Sequence, residues 1–525
     1  MKKNALLIAV IMTVGVFTGC DTKNSKKTSG NDNVLTIEVF DRGNAPEDGG
    51  TCDNNYLTNL ISTEFEKETG IKVKFVPIPR SEEVSKINVL LASNTAPDII
   101  FTYDRDKYME YAKQGGLTDL GEYIDKYAPT IKEKWAEILP EAQYLGKQMA
   151  IPALAGNQAQ NATFIRKDWL DKLNLPVPQT TEEFYETMKA FKEKDPGNVG
   201  KDNVIPYGLW PVESTNIDNH FGAGSILWSF AGAATEEQRN TVEYPNMPGW
   251  KDGTRFLNKM FNEGLIDNEF AIDTARLKQD VSKGVVGCFT NSHNFPYSGN
   301  GNVMNALKQN VPEAEIIPID VFNTEDGKYP KVKNTKTGMF IMVPKASKNA
   351  EAAVKYLEWM AKDETRILIG NGVEGQDYDY IDDVYEVKDQ ERYKKERWNS
   401  GDLLIMYNGG FFEGDWDIFY KRIRKAKTYG NYGDLMAEAT KIALNDGVVD
   451  YRRTPKFDRP IESMGKYKGT LDKIYIEGMV EAIMTTPDKF DSVYDAMVEE
   501  YMKNGGAEVE AEKAKVYAEM SKNNN

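Results

Sequence analysis

Apolar residues fall along the chain in short runs with two alternating periods. "NVLTIEVFDR" alternates with period two and predicts a strand ending at Phe40. "NNYLTNLISTEFEKETG", Asn54 to Gly70, carries apolar residues at helical spacing and ends on a glycine, which predicts a helix and its stop. "IKVKFVPIP" predicts a second strand, "SEEVSKINVLLASN" a helix, "APDIIFTYD" a third strand closed by Asp104, and "RDKYMEYAKQGG" another helix. Strand, helix, strand, helix, strand is the order of a mostly parallel sheet covered by helices. Ligands of such sheets sit beyond the carboxyl ends of the strands. Asp41, Arg42 and Asp104 stand at those ends. Taken singly, each also fits a solvated loop charge.

The amino terminus follows a different pattern. Lys2 and Lys3 precede the apolar run "ALLIAVIMTVGVF", Ala5 to Phe17, and Thr18, Gly19 and Cys20 follow it. A membrane span needs roughly 20 apolar residues, so this run has the proportions of a secretory leader. "VFTGC" resembles a bacterial lipobox, with Phe17 where leucine is usual. The resemblance implies cleavage after residue 19, lipidation of Cys20 and attachment to the extracytoplasmic face of the cell membrane. The alternative is an ordinary signal peptide with an incidental cysteine. "DTKNSKKTSGNDN", Asp21 to Asn33, has almost nothing to bury and is expected to be a flexible tether.

Composition narrows the partners. With 525 residues, the chain has room for two or more domains. Its net charge of −16 opposes a phosphate backbone, so nucleic acid is not an expected partner. Beyond Cys20 there are only Cys52 and Cys288, with two histidines, His220 and His293. A zinc site would need all four to converge. A disulfide between Cys52 and Cys288 is compatible with an extracellular setting, but two free thiols are the preferred reading.

The order of several motifs carries a family resemblance. "FEKETGIKVKFVPIP" and "LLASNTAPDIIFTYD" resemble the amino-terminal lobe of family 1 extracellular solute-binding proteins. "GGLTDLGEYIDKYAP", "GKQMAIPALAGN", "IRKDWLDKLNLPVPQTTEEFYETMKAFKEKDP", "GMFIMVPKASKNAEAAVKYLEWMAKDE" and "GVEGQDYDYID" extend the likeness over nearly the whole mature chain. It is similar to the lipoprotein branch, the sugar-binding components of ABC importers. The resemblance implies a two-lobed periplasmic-binding-protein-like α/β fold with hinge strands and a ligand cleft. Residues 34–155 and 317–362 are expected to form lobe 1, and residues 156–316 and 363–525 lobe 2. It further implies a monomer that captures a carbohydrate, with an oligosaccharide favoured, and delivers it to the transmembrane subunits of an ABC permease. No cofactor is implied. A peptide-binding importer lipoprotein and a ligand-sensing surface lipoprotein are the alternatives.

Sugars offer hydroxyl edges and apolar faces, so their sites combine aromatic rings with Asp, Asn and Arg. The residues expected in the cleft are Asp41, Arg42, Asp104, Asn157, Trp210, Trp228, Asn291, His293, Trp398, Tyr407 and Trp416. Trp135, Trp169 and Trp359 lie in helical patterns and are expected to be core. Some relatives carry a calcium loop at the position of "DPGNVGKDNVIP", Asp195 to Pro206. Here Gly197, Val199 and Val204 replace oxygen ligands, so no metal is expected. No GxSxG, HExxH or P-loop pattern is present, and no catalytic residue is assigned.

Overall fold

A computed structural model describes residues 34–523 except 47–48, 156–160, 212–216, 274, 300–301, 323–335, 409–415 and 445–456. The leader, Cys20 and the tether lie outside the described residues, and so does Asn157.

The first lobe is built on strand Val34–Asp41, which pairs in parallel with Lys72–Pro79. Between them runs helix Tyr56–Thr69. Asn55 caps its start in a reciprocal capping box with Thr58. Gly70, at φ 70°, ends it in the left-handed conformation that glycine adopts without a Cβ penalty. On its other side Val34–Asp41 meets the third strand through Glu38 N–H to Ile99 O and Ile99 N–H to Thr36 O, each 3.0 Å. The sheet continues through Ile100–Thr102, Thr337–Met342, Ile151–Ala155 and Tyr407–Asn408. Thr337–Met342 runs antiparallel to both its neighbours, so the expected mostly parallel sheet is mixed.

The second lobe holds a four-stranded sheet in the order Ile316–Ile319, Asn161–Arg166, Val286–Ser292, Ile205–Gly208. The last two are parallel neighbours. Helices Glu462–Met484, Phe490–Tyr501 and Ala507–Asn523 pack on this lobe. Each lobe buries its own core: Leu35, Ile37, Phe65 and Ile341 in one, Phe184, Trp250, Tyr475 and Met479 in the other.

Two expected boundaries move. Ile316–Ile319 pairs antiparallel with Asn161–Arg166, which leaves the start of the expected return segment 317–362 in the second lobe. The apolar runs around Ile369 and Leu403–Tyr407 fill the first-lobe core, so residues 363–408 belong there rather than to lobe 2. The run "LLIMYN" ends in a strand beside Ile151–Ala155 and cannot leave that lobe without exposing it. Cys52 and Cys288 are free and buried in different lobes. Burial pushes the Cys52 thiol up to about 11 and the Cys288 thiol higher still.

Candidate functional site

Three first-lobe strands end side by side and carry a compact polar and aromatic rim. Phe40 closes the first strand and stacks against Tyr103, with centroids 6.2 Å apart and planes at 22°. Phe40 is buried, whereas Tyr103 is 45% exposed. Arg80 lies over both rings, 4.6 Å from Phe40 and 5.1 Å from Tyr103, and pairs with Glu83 at 2.6 Å. Arg42 makes a two-pronged bond to Asp402, 2.8 Å on each arm. Asn408 donates to the Tyr103 hydroxyl (3.2 Å) and accepts from Met339 N–H (2.9 Å). Gly338 lies against the Asn408 side chain, where any Cβ would collide.

Asp104 caps helix Arg105–Lys113 by accepting from the amides of Asp106 (2.9 Å) and Lys107 (3.1 Å). This edge faces the other lobe. Arg105 donates to Phe457 O at 2.9 Å, and Lys113 pairs with Glu462. Burial raises the Asp106 carboxyl, reinforced by Asp104 and opposed by Arg105, Lys468 and Lys513.

In the second lobe the parallel pair Ile205–Gly208 and Val286–Ser292 brings Trp210 and Asn291 to one end. Trp210 is half-buried, and its indole N–H donates to Thr290 O at 3.0 Å. Asn291 is half-buried, and Ser292 donates to Asn294 (2.9 Å). His293 follows at 7% exposure.

The expected cleft residues therefore divide. Asp41, Arg42 and Asp104 meet at the first-lobe rim, and Trp210, Asn291 and His293 at the second-lobe strand ends. Trp228 is a correction: it is 3% exposed and packs edge-on against Trp250 at 5.0 Å, because helix Gly224–Phe230 turns that face into the second-lobe core. Tyr407 is another. It is 5% exposed, lies 5.5 Å from Trp135, and donates to Ala361 O inside the first lobe. Trp398 packs half-buried on the first-lobe core, beside Asn399, which bonds Cys52 O. Trp416 opens helix Trp416–Lys425, exposed, with Tyr420 stacked on it at 6.1 Å. Trp135, Trp169 and Trp359 are buried. The Asp195 carboxylate accepts from the amides of Val199 (3.0 Å) and Gly200 (2.8 Å), which is the geometry of a polar turn.

Tyr103, Phe40, Arg80 and Asn408 escaped the sequence reading. An aromatic wedged between a strand and its terminal Asp104 cap was the available signal for Tyr103. Arg80 and Asn408 carried none, since pairing across the sheet brings them in.

Two α/β lobes, each with polar and aromatic strand ends, define a two-domain solute-binding protein. The model of the family described as bacterial extracellular solute-binding protein matches residues 53–367, and this chain belongs to that family. It is 26% identical to lipoprotein LipO of Bacillus subtilis over 468 residues, 86% of this chain and 88% of that protein. It is 23% identical to the polygalacturonan/rhamnogalacturonan-binding protein YtcQ of the same organism, covering 97% of each. Among solved structures it is similar to an HMO-binding solute-binding protein of Bifidobacterium longum infantis, with a TM-score of 0.66, 19% identity and 92% and 98% of the two chains covered. It also resembles the FusA substrate-binding protein of S. pneumoniae in complex with kestose, with a TM-score of 0.62, 18% identity and 93% and 100% coverage.

Proposed function

We propose that this chain is a lipid-anchored receptor on the extracytoplasmic face of the cell membrane that captures an oligosaccharide and hands it to an ABC permease. The observation that carries this reading is the Tyr103 ring, exposed at the strand ends of the first lobe and braced by Phe40, Arg80 and Asn408. A flat aromatic face of this kind suits the apolar side of a pyranose, and Asp41, Arg42 and Asp104 of the first-lobe rim, with Asn291 of the second lobe, suit its hydroxyls. Relatives named for polygalacturonan/rhamnogalacturonan and for fructooligosaccharides support a carbohydrate ligand. Ligand that binds the closed arrangement better than the open one shifts the population toward closure. Lipid on Cys20 would keep the receptor near its permease, since two acyl chains hold a protein where one does so only marginally.

Calorimetric titration of the full chain in detergent against a panel of plant and host oligosaccharides tests this. Binding to a related set, weakened about tenfold or more in Tyr103→Ala, is the expected result. Silence toward every sugar together with binding of peptides would overturn it.

A further inference from the structure

Strand Val34–Asp41 buries an acidic residue in its interior. Glu38 is 1% exposed. Its Oε2 accepts from Phe101 N–H at 2.8 Å, while Oε1 has no hydrogen-bond partner among the described residues. A second carboxylate, Glu83, is 3% exposed. Its Oε2 receives Arg80 Nη1 at 2.6 Å. Arg80 in turn lies over Phe40 and Tyr103. A line of contacts thus runs from the buried Glu83 carboxylate through one guanidinium to the exposed ring of the site. Ring faces attract a guanidinium, but they do not fix its rotation. A carboxylate bonded to one edge does.

We propose that Arg80 is the positioning residue of the Tyr103 face and that Glu83 is its clamp: ionised Glu83 holds the guanidinium against the rings, and protonated Glu83 releases it. The use of this clamp in ligand binding rests on the sugar reading above; the clamp itself does not.

The surroundings set the direction. Burial pushes the Glu38 carboxyl well up, against the Phe101 amide and Arg80 and with help from Glu83. Glu83, not Glu38, is the carboxylate hydrogen-bonded to Arg80. Burial also raises Glu83, opposed by the Thr102 hydroxyl and by Arg80 and reinforced by Asp104. Tyr111, from helix Arg105–Lys113, and Tyr103 complete the titratable groups around the pair. Arg42 and Asp402 also act on Tyr103. A raised carboxyl takes up its proton at a higher pH than an ordinary glutamate, so the clamp is closed above its folded value and opens as pH falls through it.

The test labels the full chain with 3-fluorotyrosine and assigns the Tyr103 fluorine resonance as the one missing in Tyr103→Phe. Without ligand, this resonance should shift in one step as the protein is titrated from neutral into the acid range. The step should vanish in Glu83→Gln and in Arg80→Met, and Arg80→Lys, which keeps a cation, should restore it. With kestose as probe, affinity at about pH 5 should be about fivefold weaker than at about pH 7.5, and Glu83→Gln should abolish that difference. A Tyr103 resonance with no acid step, or a step that survives Glu83→Gln in a folded protein, overturns the proposal. A step of the expected kind without kestose binding at either pH supports the clamp and counts instead against the sugar reading.

Discussion

Arg422 donates its Nε–H to the backbone carbonyl of Asp383 at 2.7 Å, and this bond ties one lobe to the other. Arg422 stands on helix Trp416–Lys425, whose Phe419 and Ile423 are buried with second-lobe residues such as Phe164 and Leu277. Asp383 lies in the turn of hairpin Tyr378–Ile381 and Val384–Val387. That hairpin is anchored to the first lobe through Asp377 and Arg397, and Arg397 lies over Tyr56. Lys421 adds an ion pair to Asp382, and the Arg422 guanidinium lies 5.0 Å from the Tyr385 ring.

Arg422→Ala is therefore expected to loosen the tie. Partly exposed pairs are individually weak, so the expected cost is about 1 kcal/mol, or roughly a fivefold change in the ratio of lobe arrangements. Small-angle scattering of the ligand-free chain would read this as a larger radius of gyration. An unchanged radius would mean the hairpin contact does not govern lobe separation.

Much of the first lobe was legible because its signals are local. Asn55 and Gly70 bracket a helix whose apolar face repeats at helical spacing, and the run "VLTIEVF" announces a strand. The lobe boundaries were not legible in the same way. Ile316–Ile319 and Leu403–Tyr407 are apolar runs that either lobe could have buried, and only strand pairing decides between them. The tryptophans erred for a related reason. Trp228 sits in a glycine-rich stretch with no long helical pattern, yet the short helix Gly224–Phe230 turns it onto Trp250. Glu38 keeps the strand's alternation as a polar position, so its burial was not legible in the sequence.

Trp210 and Trp228 should separate binding from stability. Trp228→Ala removes a side chain buried among Trp250 and Tyr244 and should cost about 3–5 kcal/mol in urea unfolding. Trp210→Ala removes a half-buried ring at the strand ends and should cost less stability while weakening sugar binding. Equal losses of stability in the two variants would count against a role for Trp210 in the cleft.

Gly338→Ala tests the support under Tyr103. The added methyl meets the Asn408 side chain, which accepts from Met339 N–H and donates to the Tyr103 hydroxyl. Displacing Asn408 should cost about 1–3 kcal/mol and weaken ligand binding along with it. Asn408→Ala combined with Gly338→Ala should recover part of that stability, because the collision is gone. Two losses that simply add would show that the methyl acts elsewhere.

Asp98 joins three segments of the first lobe. Its carboxylate accepts from Thr36 N–H (2.9 Å), Thr36 Oγ1–H (2.7 Å), Ser347 Oγ–H (2.7 Å) and Asn349 Nδ2–H (3.1 Å). Burial pushes this carboxyl up, but those four donors outweigh it and hold it below its ordinary value. A carboxyl lowered by folding adds stability above its unfolded value, and that contribution is lost as pH falls through the folded one. The wild type should therefore lose stability toward acid more steeply than Asp98→Asn. At neutral pH, Asp98→Ala should be less stable by about 2–3 kcal/mol, since the donors lose a charged acceptor. Urea unfolding at about pH 7 and about pH 3.5 would show this, and parallel curves for wild type and Asp98→Asn would remove Asp98 from the acid response.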